Sequence, residues 1–146
     1  MSDEEYMGLA LQEAMKALDI DEIPIGAVIV RDDKVIACAF NQKEHKKDVT
    51  AHAEILAIQK ACQNLDSWHL DNCTLYSTLE PCMMCSGAII QSRIQRVVYG
   101  ASGQRWHGLS KYLKHHKFNH YPDVTEGVLE EKCSSLLSNY FKNKRK

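Results

Sequence analysis

Thr74-Leu75-Tyr76-Ser77-Thr78-Leu79-Glu80-Pro81-Cys82-Met83-Met84-Cys85-Ser86-Gly87-Ala88-Ile89-Ile90-Gln91 passes from one kind of secondary structure into another without a linker. Thr74–Leu79 has the β-branched, aliphatic and aromatic content of a strand. Pro81 suits the first turn of a helix, where its missing N–H is one the helix would leave unpaired anyway. That helix carries Cys82 to Gln91. A strand feeding directly into a helix is a β–α unit, and the rest of the chain is built to match it.

Upstream, residues 4–18 read as an amphipathic helix with Met7, Leu11, Ala14, Met15 and Leu18 on one stripe. Ile25–Val30 and Val35–Phe40 are strands joined through the turn residues Arg31-Asp32-Asp33-Lys34, a hairpin. A polar loop, Asn41–Val49, follows. Thr50 is placed to cap a helix running to about Gln63, with Ile55, Leu56 and Ile58 on its core face. Downstream, Arg96–Tyr99 is a fourth strand and residues 100–108 a glycine-containing loop. Leu109–His116 is a short helix and Val124–Val128 a fifth strand. A final helix places Leu129, Cys133, Leu136, Leu137 and Tyr140 at helical spacing. A helical crossover between the fourth and fifth strands favours a parallel pair. The expectation is a single domain over residues 1–146: a three-layer α/β arrangement around one mixed five-stranded sheet.

The chain has 146 residues, 45% hydrophobic and 25% charged, which is ordinary for one globular domain and excludes disorder or a fibrous repeat as its description. Its longest apolar stretches, such as Ile23–Val30, fall far short of the ~18 residues a membrane span needs. The acidic start, Met-Ser-Asp-Glu-Glu-Tyr, is unlike a signal peptide. A soluble, cytoplasmic protein with no membrane partner is expected. Charge is uneven. Residues 1–30 hold seven acids against Lys16, and the remainder holds 17 bases against 12 acids. The last five residues include Lys142, Lys144, Arg145 and Lys146, an electrostatic footprint suited to nucleic acid or simply a solvated helix end.

Six cysteines in a cytoplasmic chain point to metal or redox chemistry rather than a disulfide framework. Cys38, Cys62, Cys73 and Cys133 sit among apolar neighbours and read as small hydrophobes. Cys82 and Cys85 differ: three residues apart at a helix start, they share a face where unpaired N–H groups favour thiolates. Alone, this Cys-x-x-Cys fits redox or metal use. His52, near the start of another helix, supplies a third donor, and a His-Cys-Cys set suits zinc. Three protein ligands leave a position open, as catalytic rather than structural zinc sites do. Glu54 lies two residues beyond His52, placed to handle the protons of a water there, provided the metal lies off the helix end. His-x-Glu followed by Pro-Cys-x-x-Cys is the zinc-deaminase signature.

The chain resembles the bacterial tRNA-specific adenosine deaminases, a branch of the cytidine deaminase-like superfamily, nearly end to end. The matching segments are Glu22-Ile23-Pro24-Ile25-Gly26-Ala27-Val28, Thr50-Ala51-His52-Ala53-Glu54-Ile55 and Thr78 through Ile89. Ser92-Arg93-Ile94, Val97 through Ala101, Asn119-His120 and Thr125-Glu126-Gly127-Val128-Leu129 complete them. The zinc motifs mark the superfamily; the Glu-Ile-Pro-Ile-Gly-Ala segment, Asn119-His120 and the aromatic C-terminal helix mark the tRNA branch. The resemblance implies a cytidine deaminase-like α/β/α fold, a homodimer, one zinc per subunit, and conversion of the wobble adenosine of a tRNA anticodon stem-loop to inosine. By matched position it implies His52, Cys82 and Cys85 as zinc ligands, Glu54 as proton shuttle, and Asn41 and the Ala53 backbone N–H against the nucleotide. Pro24, Leu79, Asn119, Tyr140 and Phe141 fall near the substrate in the same template. The chain departs from the family in a shorter 102–114 segment carrying Trp106-His107-Gly108, in Tyr121-Pro122, and in Asn139-Tyr140-Phe141. Two other readings stand beside this one: a deaminase of free nucleosides, nucleotides or bases on the same fold, and a zinc-stabilised RNA-binding module without catalysis. An open zinc position beside Glu54 speaks against the second.

Overall fold

In the computed structural model, which describes residues 1–103 and 106–144, the chain runs α1 (Asp3–Asp19), β1 (Gly26–Arg31), β2 (Lys34–Phe40), α2 (Lys43–Lys46), α3 (Ala53–Leu65), β3 (Cys73–Leu79), α4 (Met83–Ser92), β4 (Arg96–Ala101), α5 (Leu109–His115), β5 (Asp123–Thr125) and α6 (Glu130–Lys144). Gln104 and Arg105 of the glycine-containing loop, and Arg145 and Lys146 of the basic tail, lie outside the described residues. The strands form one sheet in the order β2-β1-β3-β4-β5. β1 is antiparallel to both β2 and β3, whereas β3–β4 and β4–β5 are parallel. The sheet is therefore mixed and five-stranded, with the fourth and fifth strands parallel as expected of a helical crossover.

Alternation along the strands divides the core into two layers. Ala27, Ile29, Leu75 and Val97 face α3, α4 and α5, meeting Ala53, Ala57, Ala61, Ile89 and Leu109. Val28, Val30, Tyr76 and Val98 face α1 and α6, meeting Tyr6, Met7, Ala10 and Cys133. The helices approach closely because their inner residues are small. Gly26 completes that approach on the α1 side: a Cβ there would lie 2.0 Å from Ala10 O and 2.5 Å from Ala14 N. The buried stripe of α1 is accordingly Met7, Ala10, Ala14 and Ala17, and Met15 and Leu18 face outward. On α3 the buried residues are Ala53, Glu54, Ala57, Ile58 and Ala61, so Ile58 joins the core as expected while Ile55 and Leu56 are only partly covered.

Several boundaries differ from the sequence expectation for local reasons. Thr50 does not cap α3. Its N–H and hydroxyl both donate to Asp48 Oδ1, at 2.9 and 2.7 Å, and His52 occupies the N-cap position. Pro81 stands before α4, whose N-cap is Cys82. The loop after β2 contains the single turn α2, closed by Lys47 in the left-handed region. α3 and α4 end on Asp66 and Arg93, at φ 50° and 65°, where glycine is the usual signal. β5 stops at Thr125; beyond it Glu126 accepts a hydrogen bond from the Tyr99 hydroxyl at 2.8 Å and Gly127 takes a positive φ of 80°.

Asp3 ties α1 to the sheet. Its carboxylate accepts two hydrogen bonds from Arg96, at 2.9 and 2.7 Å, and one from the Tyr76 hydroxyl at 2.7 Å. Arg96 holds the Asp3 carboxyl below its ordinary 3.8. The folded chain thus binds fewer protons here than the unfolded chain. The contribution to stability is complete above about pH 4 and is lost as pH falls through the lower folded value. Asp3→Asn is expected to cost about 1 kcal/mol at pH 7, given the partial exposure of the pair, and to flatten the acid limb of stability below pH 4. Urea titrations across pH 2–7 check both effects.

Candidate metal centre and active site

The carboxyl end of β3 runs through Glu80 and Pro81 into α4, while β1, being antiparallel, begins beside that same end. Helices α3 and α4 lie side by side on one face of the sheet and both start there. His52 and Cys82 are the two N-cap residues, with extended backbone (φ −75°, ψ 151° and φ −73°, ψ −178°), and neither side chain caps its own helix. Both side chains therefore project off the helix ends, toward each other. His52 Nδ1 lies 3.6 Å from Cys82 Sγ and 3.6 Å from Cys85 Sγ, and the three donor atoms all fall within 4.8 Å of one another. Zinc bonds of about 2.3 Å to sulfur and 2.0–2.1 Å to nitrogen, set at the tetrahedral angle, imply N···S separations of about 3.6 Å. The donor set and its spacing fit that ion.

The protonation pattern follows from the same closeness. Hydrogen bonding from Cys85, reinforced by His52, pulls the Cys82 thiol down to about 4. Cys85 is pushed up by that same hydrogen bond to Cys82 and by burial, and His52 is raised by Cys82. Glu54 is 4% exposed, and burial raises its carboxyl to about 7. Its carboxylate interacts with the Cys85 side chain, so it belongs to the cluster although it sits two residues past His52. The i, i+2 spacing is no obstacle, because His52 is outside the helix and Glu54 inside it.

A cavity of about 510 Å³ opens beside Cys82. Ile23 and Ile25, Leu79, the residues Ser102, Gly103 and Trp106–Gly108, and helix α6 all line it. From α6 the lining residues are Ser134, Leu137, Ser138 and Phe141, a stripe at i, i+3, i+4 and i+7. Leu79 and Phe141 thus stand on this cavity. Pro24 is buried between its two isoleucine neighbours. Asn41 is buried and holds the same strip, its amide donating to Ile23 O at 3.2 Å while Oδ1 accepts from Lys43 N at 3.2 Å. Ala53 is the first residue of α3, at the helix start beside His52.

Two expected residues lie elsewhere. Tyr140 is about 100° around α6 from Phe141, and its hydroxyl donates to Asp21 O at 3.2 Å. Lys144 bonds the Asp21 carboxylate, so this tail cation is engaged within the chain. Asn119 is exposed in the 116–122 loop, and its carbonyl accepts from Arg93 at 3.5 Å. The remaining cysteines behave as packing groups: burial raises the thiols of Cys38, Cys62 and Cys73, and pushes Cys133 up to about 11. Residues that the motifs did not single out, Ile23, Ile25, Glu80, His107, Gly108 and Leu137, complete the cavity. Ile23, Ile25 and Glu80 lie in segments that match the family, and His107-Gly108 in one that departs from it, but no signal in the sequence marked any of the six as lining a cavity.

Residues 1–145 match the MafB19-like deaminase family. A tRNA-specific adenosine deaminase of Bacillus subtilis (strain 168) is 46% identical over 147 residues, covering 99% of this chain and 91% of its own. One from Haemophilus influenzae is 46% identical over 151 residues, covering 98% of this chain and 85% of its own. A solved structure from studies of A-to-I editing by tRNA:A34 deaminases at the wobble position of transfer RNA has a TM-score of 0.87 and 42% identity. It covers 91% of this chain and 99% of that one.

Cys82→Ala and Cys85→Ala each remove one donor and are expected to lose a bound ion and to lower Tm. Cys62→Ala, outside the cluster, is expected to retain about one equivalent. Elemental analysis of the purified variants decides this; a full equivalent kept by Cys85→Ala would rule the cluster out.

Proposed function

Because the chain belongs to the family of the tRNA-specific adenosine deaminases, we propose that it hydrolyses adenosine to inosine at the wobble position of a tRNA anticodon loop. The observation that carries this reading is the His52–Cys82–Cys85 triangle with the buried Glu54 carboxyl against it and a cavity roomy enough for a nucleotide alongside. We assign one zinc per subunit to His52, Cys82 and Cys85, leaving one coordination position for water. Zinc held there would supply a Lewis acid that lowers the pKa of a water toward neutrality.

Every other part of the chemistry falls to the chain's own groups. Glu54 takes a proton from the attacking water on a carboxylate oxygen as the water oxygen bonds to C6, and carries the proton to N1 of adenine. It then takes the second proton from the new C6 hydroxyl and delivers it to the amino group, so the C6–N bond breaks, ammonia leaves and the C6 carbonyl of inosine forms. Burial suits it to that exchange, since a carboxyl raised to about 7 holds and releases a proton near neutral pH. Leu79 and Phe141 are assigned to the faces and edge of the base, Asn41 and the Ala53 N–H to its polar edge and ribose, and Pro24 to the rigid strip behind Ile23 and Ile25. A base already unpaired in a loop enters such a cavity at little cost. Asn119 and Tyr140 are assigned to the RNA outside the cavity.

The reading extends to a homodimer in the cytoplasm. Supporting the dimer is a mainly apolar groove of about 480 Å³ between α4 and the α5–β5 connection, lined by Met83, Ile90, Tyr112 and Phe118 among others. No helix among the described residues is long and apolar enough to cross a membrane.

Glu54→Gln is expected to keep zinc, fold and RNA binding while losing at least about 10²–10⁴-fold in turnover, the range of general acid–base roles. Single-turnover assays on zinc-loaded protein test this, and a variant with a tenth of wild-type activity would exclude Glu54 as the shuttle. Substrate class is tested by offering an anticodon stem-loop with adenosine at the wobble position, free adenosine, cytidine and guanine. Inosine is expected in the stem-loop, with little turnover of the free compounds, because loop contacts supply the binding that orients the base. Comparable turnover of a free base or nucleoside would favour the small-molecule deaminase.

A further inference from the structure

The 102–108 wall of the cavity has neither helix nor strand among its described residues, yet it is fastened at both ends to one place in the chain. Where the segment leaves β4, Glu80 N–H donates to Ala101 O at 2.8 Å. Glu80 Oε1 then accepts from Gly103 N–H at 3.2 Å, and Oε2 accepts from Ser110 N–H at 3.0 Å. Pro81 O accepts from Leu109 N–H at 3.1 Å. Gly108 packs directly on the carboxylate, so closely that a Cβ there would lie 2.4 Å from Glu80 Cδ and 2.7 Å from Oε2. Ser110 is held in turn by the Tyr99 hydroxyl at 2.8 Å.

Glu80 is 9% exposed. A carboxylate is costly to bury unless its oxygens are occupied, and here both are, by N–H groups that no strand or helix partner serves. The residue lines the cavity beside Cys82 but has its acceptors committed to the wall, which makes it unsuited to shuttling protons. We propose that Glu80 is a positioning residue for the deamination. It fixes Gly103 and Gly108–Ser110, and with them the described part of this wall, and so governs how tightly the target nucleotide is held rather than the rate of the proton transfers. This inference rests on the deaminase reading above.

Glu80→Gln keeps the shape but offers one acceptor oxygen and turns an NH₂ toward a backbone N–H. Gly108→Ala displaces the same carboxylate from the loop side. Both variants are assayed on the stem-loop with rates normalised to bound zinc, and amide exchange is followed at Gly103 and Ser110. The expected result is a KM raised about tenfold with kcat within about twofold of wild type, together with faster exchange at one or both amides. A residue that merely stabilised the fold would instead lower zinc content and the active fraction, reducing apparent kcat at constant KM, and that outcome overturns the proposal. So does an unchanged KM in both variants, or a KM effect in only one of two folded variants. If Glu80→Gln fails to fold, Gly108→Ala decides alone. A wild-type protein inert on the stem-loop would overturn the functional reading itself, which is distinct from an active wild type whose KM neither substitution moves.

Discussion

Two helix starts held face to face are the constraint on which the rest of this structure depends. An N-cap side chain ordinarily accepts a hydrogen bond from its own helix. His52 and Cys82 do not, and their donor atoms stand 3.6 Å apart instead. Nothing local to either segment can enforce that distance, since the residues are thirty apart in sequence. The sheet enforces it. α3 packs on β1 and β2 and α4 follows directly from β3, so the starts meet only if β1 and β3 keep their register, with Ala27 opposite Ser77. The alanines on the inner face of α3 let the helix lie close enough for His52 to reach the thiols.

The same geometry explains why Glu54 tolerates nearly complete burial. In a structural setting, an unpaired buried carboxylate would be protonated or replaced. Here burial raises the carboxyl to about 7, while its backbone hydrogen bond, His52 and Cys85 pull the other way and keep it from rising further.

The elements carrying chemistry were legible in the sequence because their signals are local. Cys82 and Cys85 share a helix face by spacing alone, and Pro81 marks the approach to that helix. The order of strands and helices followed from alternation and periodicity. What was not legible depended on partners distant in the chain. Thr50 looked like a cap until Asp48 claimed its hydroxyl. Met15 and Leu18 fitted the apolar stripe of α1 by hydropathy, but the sheet demanded small residues, so the stripe rotated onto Ala10, Ala14 and Ala17. Tyr140 and Phe141 are neighbours of similar character, and only the orientation of α6 sends one to the cavity and the other to Asp21. For the tail, the four clustered cations suggested a common role, whereas Lys144 is drawn back to an acidic residue more than a hundred positions earlier.

Loops build most of the cavity, and a buried loop must find acceptors for its N–H groups without a ladder to supply them. This chain meets that need with polar side chains placed just outside the regular elements. Glu22, 1% exposed, accepts from Glu44 N and His45 N at 3.2 and 2.7 Å and so holds the turn after β2. Asn41 holds that same turn to Ile23. Glu80 holds the opposite wall. A carboxylate suits the task because two oxygens can serve two amides, and charge-assisted bonds hold geometry more firmly than neutral ones. These acids read in the sequence as ordinary charged residues flanking apolar strands. In the fold they are the means by which a site made of loops acquires fixed walls, and they explain how irregular segments around the His52–Cys82–Cys85 cluster can form a defined cavity.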